Sequence, residues 1–397
     1  MMPLAESVYW SSLASSLVPY IPGEQPKDRK FIKLNTNENP YPPSPKVLDA
    51  IRNTANDTLR LYPEPSSAVL REAVAKRWNI NAEQVFCGNG SDEILAFAFA
   101  AFFNSNVNDN AGRIEPILFP KISYSFYPVY AALWNIPYKT PELGADFTID
   151  HTDYTGSDYS NASNQNSNNQ KTGGVILPNP NAPTGRALSI AALKQIAEAQ
   201  AKYNKVFIID EAYIAFTNEP GAGSMIPFIN DHPNLLVIRT LSKDASLAGL
   251  RAGYAVGSTE LIEGLCRVRD SFNSYTMDRL AQAAAAAAIS DIVYYDEINA
   301  MVIKTRERTE KALQSMGFNV IPSHANFVFA APPVMAHNAT ETSAAKFSAA
   351  LREKGILVRH FNKPEIENYL RISMGTGDEM DFFIAACKEC LSAGALL

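Results

Sequence analysis

The chain has no dense run of lysine and arginine, no apolar stretch of the roughly twenty residues needed to cross a bilayer, and only four cysteines among 397 residues. With 35 basic against 41 acidic side chains and a net charge of −6, an extended nucleic-acid or anionic-membrane face is excluded and only a local patch would serve. The start Met1-Met2-Pro3-Leu4-Ala5-Glu6 lacks a basic region followed by an apolar run, so no signal peptide is expected. Of Cys87, Cys266, Cys387 and Cys390, only the last two are close. Their Cys-Lys-Glu-Cys spacing falls in a stretch, 382–396, that reads as an amphipathic helix, and no second pair completes a zinc site. No metal centre is expected, and the cysteines read as reduced packing thiols of a cytoplasmic protein.

What is present is an ordinary globular composition, 46 % hydrophobic and 19 % charged. The length exceeds what a single core accommodates, so two lobes are expected. Between about residues 66 and 260, short apolar runs alternate with helix-like segments, the pattern of a mostly parallel sheet covered by helices. The runs are Val85-Phe86-Cys87, Pro116-Ile117-Leu118-Phe119, Val175-Ile176-Leu177, Val206-Phe207-Ile208-Ile209 and Leu235-Leu236-Val237-Ile238. Each passes at once into polar or Gly/Pro-rich residues, at 88–92, 121–124, 179–185, 210–213 and 240–243. Ligands of open α/β sheets sit beyond the carboxyl ends of strands, so these segments share one rim. From Tyr294 a long helical pattern leads to short apolar runs near 317–320, 326–329, 355–358 and 370–373, the pattern of a smaller α+β lobe. The expected division is an arm over 1–50 packing with the small lobe, a large lobe over 51–290 and a small lobe over 291–397. The alanine-rich run 281–289 predicts a tightly packed helix, and the polar stretch 151–172 predicts a mobile surface insertion.

The chemistry is concentrated on that rim. Thr240-Leu241-Ser242-Lys243 is followed eight residues past the lysine by Arg251, and Asp210-Glu211-Ala212-Tyr213 ends a strand about thirty residues earlier. Together they offer what an aromatic aldehyde phosphate requires. Lys243 supplies an amine to form an imine, and basic neighbours would keep it neutral and nucleophilic. Asp210 supplies a carboxylate that keeps a pyridine nitrogen protonated, Tyr213 a phenol for the ring oxygen, and Tyr124 a face on which the ring can stack. Ser242 and Arg251 can hold the phosphate. Gly88-Asn89-Gly90-Ser91-Asp92-Glu93, ahead of an apolar helix, offers a second anion grip through free amides. Arg371, on an apolar strand, is suited to bidentate binding of a carboxylate or phosphate, and Arg359 is a second candidate anion contact. The pattern reads as a pyridoxal phosphate site.

Beyond this local reading, the chain resembles the fold-type I pyridoxal phosphate aminotransferases, and within them the histidinol-phosphate aminotransferase family. The similarity is carried by Leu34-Asn35-Thr36-Asn37-Glu38-Asn39-Pro40, Leu61-Tyr62-Pro63-Glu64-Pro65, Asn179-Pro180-Asn181-Ala182-Pro183-Thr184-Gly185 and the segments already quoted. The resemblance implies an α/β fold with a mostly parallel central sheet covered by helices and a smaller α+β domain. It implies Lys243 as the Schiff-base lysine, Asp210 at the pyridine nitrogen and Tyr213 at the ring oxygen. Tyr124 would lie against the ring, with Ser91, Asp92, Ser242 and Arg251 at the phosphate. It further implies a homodimer in which Tyr62 reaches the neighbouring subunit's cofactor phosphate, Arg371 as the carboxylate-binding arginine, and Tyr20 and Arg359 at the phosphate end of histidinol phosphate. Where the family often has Asn directly before Pro-Thr-Gly, this chain has Ala182, and Asn181 stands one place earlier as the candidate contact to the ring oxygen. The expected reaction is transamination between histidinol phosphate and 2-oxoglutarate. An aromatic amino acid aminotransferase and a decarboxylase of a phosphorylated amino acid remain as alternatives.

Overall fold

Short runs of branched and aromatic residues, each closed by a polar or turn-forming residue, become the strands. The computed structural model describes residues 8–20, 23, 24, 26, 29–104, 115–156, 172–333 and 343–392. Strand β1 (Ile32–Leu34) belongs to the smaller of two sheets. The larger sheet follows, with β2 (Val85–Gly88), β3 (Ile117–Leu118), β4 (Tyr138–Lys139), β5 (Gly174–Pro178), β6 (Phe207–Asp210), β7 (Leu235–Thr240) and β8 (Gly253–Val256). The chain then returns to the small sheet with β9 (Asn319–Ile321), β10 (Phe327–Ala331), β11 (Ile356–His360) and β12 (Leu370–Ser373).

The large sheet has the order β2-β8-β7-β6-β5-β3-β4. Strands β3 to β7 run parallel, whereas β8 lies antiparallel to both β7 and β2. Strand β8 escapes the sequence reading because Gly253-Tyr254-Ala255-Val256 is short and opens on a glycine. Alternation along the strands sends side chains to two separate cores. Val175, Leu177, Phe207, Ile209, Leu235 and Val237 enter one, and Ile176, Ile208, Leu236 and Ile238 enter the other. Both faces are therefore covered, as the near-continuous apolar runs require. The alanine-rich helix Arg279–Ser290 buries Ala281, Ala284, Ala285 and Ala288 in the first core, beside residues of the helices Pro45–Thr54 and Ala68–Trp78.

The small sheet has the order β1-β11-β12-β10-β9, with β1 parallel to β11. One of its faces, carrying Val328, Ala330, Leu370 and Ile372, packs on the helices Ile292–Ser315, Ser343–Glu353 and Gly377–Ser392. The alternate residues, Phe327, Phe329, Arg371 and Ser373, point the other way. Cys387 and Cys390 are buried in the helical core and, like Cys87, unpaired. The predicted helix over 382–396 starts earlier than expected, at Gly377, and its last positions lie outside the described residues.

The polar stretch 151–172 is more ordered at its edges than its composition predicts. His151–Tyr154 forms a 3-10 turn, Tyr154 is buried, and its carbonyl accepts from Gln200 Nε2 at 2.7 Å. Thr172 is also buried, and positions 157–171 of the insertion lie outside the described residues.

Gly253 opens β8 where the helix Gly90–Phe102 begins. A Cβ there would lie 2.7 Å from Ser91 N, 2.8 Å from Gly90 C and 2.9 Å from Arg239 O, all backbone atoms that cannot swing aside. Gly253→Ala should lower stability by about 1–3 kcal/mol through overpacking. Urea denaturation followed by circular dichroism measures this, and a variant as stable as its parent would show that the close approach is dispensable.

Candidate active site

Parallel pairing places Pro178 opposite Asp210 and Asp210 opposite Ile238, so β5, β6 and β7 end together on one rim. A cavity of about 120 Å³ opens there. Ser91, Asp92, Tyr124, Asp210, Tyr213, Ser242, Lys243 and Arg251 all line it, bringing together residues scattered from position 91 to position 251.

The anion-binding groups gather at the start of the helix Gly90–Phe102. Arg251, in the left-handed region at φ 53°, turns its guanidinium back to Ser242 Oγ at 3.2 Å and to Asp92 Oδ2 at 2.8 Å. Asp92 also accepts from Tyr124 OH at 2.6 Å, which fixes that ring at the cavity edge. Because the Asp92 carboxylate would repel an anion, its useful group toward a phosphate is the backbone N–H at the helix start. Gly90, at φ 79°, keeps the approach open, since a Cβ there would come within 2.7 Å of the Arg251 guanidinium.

Asp210 is buried at the end of β6, accepting from Tyr127 OH at 3.1 Å and from Ala212 N at 3.2 Å. Burial pushes its carboxyl up to about 7 against those two hydrogen bonds, and the Asp92 and Glu211 carboxylates push the same way. A cationic ring nitrogen is the partner such a group lacks. Lys243 Nζ donates to Thr36 O at 3.0 Å. Burial, reinforced by Arg371 and Arg251, lowers its amine to about 8 against the pull of Glu38 and Asp92. Tyr213 OH accepts from Asn37 Nδ2 at 3.0 Å.

The remaining predicted residues lie away from the cavity lining. Arg371 donates to Asn35 O at 3.0 Å, its buried Nε has no hydrogen-bond partner among the described residues, and burial, with Arg359 adding, lowers its guanidinium. Arg359 pairs with Arg371 across β11 and β12 but lines a second cavity, between β11 and the helix Ser343–Glu353. Tyr20 lies against Phe126, ring centroids 4.3 Å apart and planes tilted by 40°. Tyr62 is exposed and stacked on Tyr275 at 4.7 Å. Asn181, the candidate contact to the ring oxygen, also lies outside that lining. It is fully buried, its two amide hydrogens go to Ile122 O at 2.9 Å and Thr184 Oγ1 at 3.0 Å, and Ala182 takes its place in the lining.

Three contributors escaped the sequence reading: Tyr127, Thr36 and Asn37. Tyr127 follows Tyr124 by three residues at a helix start, a spacing that can bring both to one site. Thr36 and Asn37 stand in the quoted stretch 34–40 but carry no chemistry that singles them out. Among the described residues no group of three His, Cys, Asp or Glu is placed to hold a metal ion. The donor set does fit an aromatic aldehyde phosphate: an amine held near neutrality, an unpaired-cation site at Asp210, a phenol, and a guanidinium, hydroxyl and helix amides together.

Residues 29–386 match the family model of aminotransferase class I and II. The histidinol-phosphate aminotransferase of Clostridium botulinum is 49 % identical over 386 residues, covering 97 % of this chain and 99 % of that protein. Histidinol-phosphate aminotransferase 1 of Bordetella parapertussis is 50 % identical over 387 residues, covering 98 % of this chain and 100 % of that protein. The solved structure of histidinol-phosphate aminotransferase from Sinorhizobium meliloti, in complex with pyridoxal-5'-phosphate, superposes with a TM-score of 0.81 at 24 % identity, covering 98 % of this chain and 99 % of that one. By sequence along nearly its whole length, and with a fold-type I architecture, this chain is a pyridoxal phosphate-dependent class I and II aminotransferase of the histidinol-phosphate aminotransferase family.

Proposed function

We propose that this protein transfers an amino group between histidinol phosphate and 2-oxoglutarate, giving imidazole acetol phosphate and glutamate, as a step of histidine biosynthesis. The observation that carries the reading is one cavity in which the Lys243 amine, its pKa lowered to about 8, sits beside Asp210, Tyr213 and Arg251. The choice of substrate is supported by the near-full-length relatives named for it.

In this reading bound pyridoxal phosphate supplies an electron sink in conjugation with the substrate Cα. The Lys243 amine would hold the cofactor through its aldehyde carbon and, once the substrate's amino group has displaced it from that carbon, would be free to carry a proton between Cα and the same carbon. Asp210, held by Tyr127 and the Ala212 N–H, keeps a proton on the ring nitrogen. Tyr213 donates to the ring oxygen, Tyr124 packs on the ring, and Arg251, Ser242 and the amides of Ser91 and Asp92 grip the phosphate. Arg371 takes the carboxylate of glutamate, and Tyr20 and Arg359 take the phosphate end of histidinol phosphate.

The same reading divides the chain into an arm over 1–50, a cofactor-binding domain over 51–290 and a small domain over 291–397. It makes the active unit a homodimer, with Tyr62 reaching the neighbouring cofactor phosphate. Supporting this, Tyr62 is exposed and stacked on the exposed Tyr275, and Leu59 and Leu61 just before it in the chain are exposed as well. Its place is the cytoplasm, in keeping with unpaired thiols at Cys87, Cys266, Cys387 and Cys390. No helix among the described residues is long and apolar enough to cross a membrane.

Following the visible absorbance of the loaded protein while histidinol phosphate, phenylalanine, tyrosine and glutamate are added separately tests the substrate. Histidinol phosphate should discharge the band fastest. A faster response to phenylalanine or tyrosine would identify an aromatic aminotransferase, and carbon dioxide release without an oxo acid a decarboxylase. Asp210→Asn should lower kcat by about 10²–10³, the usual cost of losing one preorganised electrostatic partner, and unchanged turnover would remove Asp210 from the ring nitrogen. Only the neutral amine attacks an aldehyde, and the Lys243 amine titrates near 8. Capture of pyridoxal phosphate by ligand-free protein should therefore speed up with pH, about tenfold per unit below 8, and level off above it. Stopped-flow absorbance reads this, and Lys243→Ala should show no capture at any pH.

A further inference from the structure

Asn37 is buried between the two sheets, with its backbone in the left-handed region at φ 56°, which asparagine tolerates better than most residues. Its N–H donates to Ser373 Oγ at 2.8 Å and its carbonyl accepts from Asn326 Nδ2 at 3.0 Å. Ser373 Oγ donates in return to Asn37 Oδ1 at 2.8 Å, and Asn37 Nδ2 donates to Tyr213 OH at 3.0 Å. The orientation of this amide is determined by proton counting. Ser373 has one hydroxyl proton and, among the described residues, no other acceptor for it, so the amide oxygen must face Ser373 and the NH₂ must face Tyr213.

A phenol oxygen that accepts from Asn37 keeps its own proton free, and Tyr213 lines the cavity. Its two neighbours on the Pro-Thr-Gly turn cannot share the task of donor. Ala182 offers a methyl group, and both amide hydrogens of Asn181 are spent on Ile122 and Thr184. We propose that Asn37 is a positioning residue of the reaction, which holds Tyr213 as the hydrogen-bond donor to the ring oxygen of pyridoxal phosphate. The inference rests on the reading of the cavity given above. It also ties the donor to the substrate end of the site. Ser373 and Arg371 are two apart on β12 and so share a face, and the strand that presents the guanidinium is the one that fixes Asn37.

A donor to the ring oxygen stabilises its negative charge most when the linked Lys243 nitrogen is unprotonated. Weakening the donor makes that nitrogen hold its proton to higher pH. The test titrates the visible absorbance of cofactor-loaded wild type, Asn37→Ala, Asn37→Gly, Tyr213→Phe and the double variant Asn37→Gly/Tyr213→Phe. Asn37→Gly guards against strain at the positive φ, which alanine would not relieve. Either Asn37 variant should raise the titration midpoint by about half a unit to one unit, the worth of one neutral hydrogen bond. In the Tyr213→Phe background the Asn37 substitution should add nothing. Folded variants, checked by circular dichroism, that titrate like wild type would overturn the inference, as would an Asn37 shift that persists without the Tyr213 hydroxyl. A wild type that develops no visible band with pyridoxal phosphate would instead sink the cavity reading, and the inference with it.

Discussion

The arrangement of the site follows from burying one amine without giving it a counter-ion. Lys243 is drawn into the cavity just past β7, and the two carboxylates that act on its charge are engaged elsewhere: Asp92 with Arg251 at 2.8 Å, and Glu38 with Lys33 at 3.0 Å. What the amine meets instead is a neutral carbonyl, Thr36 O. A buried ammonium with a full ion pair would be stable and inert. A carbonyl partner stabilises the charge too weakly to offset desolvation, so the neutral form that attacks an aldehyde is easier to reach than for a lysine in water.

The other buried charges obey the same logic. Among the described residues Asp210 has only neutral donors, Tyr127 and the Ala212 N–H, so its burial is uncompensated until a cation arrives. Arg371 has a carbonyl and two aromatic rings, Phe327 and Phe361, in place of a carboxylate. Each group lacks the charge that its proposed ligand carries: a pyridinium for Asp210, a carboxylate for Arg371. Burying unpaired charge costs several kcal/mol per group in general, and binding offsets that cost, so incomplete pairing in the ligand-free protein is a source of affinity for the right ligand.

Much of this was legible in the chain because the large sheet is written in strong local signals. The runs at 85–87, 175–177, 206–209 and 235–238 became β2, β5, β6 and β7, and the polar residues after them fell on one rim, as parallel pairing requires. Lys243, Asp210, Tyr213 and Arg251 could be read because each follows a strand or a turn with a chemical type the core would reject. Strand β8 was hidden because antiparallel insertion between β7 and β2 is a tertiary choice that no local pattern encodes. The setting of Asn181 was not legible because its neighbours in sequence do not reveal which way a turn rotates its side chain, and here its amide donates to Ile122 O and Thr184 Oγ1. Tyr127, Thr36 and Asn37 were not singled out because their roles depend on partners up to 336 residues away. The ordered edges at Tyr154 and Thr172 show that a polar composition reports the middle of an insertion better than its anchors.

The pairing of β1 has a bearing on when the site comes into being. β1 lies at the edge of its sheet, and its one neighbour there is β11, made from residues 356–360. The segment 35–39 runs directly from β1 to Lys243, Tyr213 and Arg371. A growing chain can stack the whole large sheet, whose last strand ends at Val256, while its earliest strand still waits for a mate about a hundred residues further on. The segment that carries Thr36 O to the lysine thus leaves a strand whose pairing waits for residues 356–358, well after the scaffold has been made.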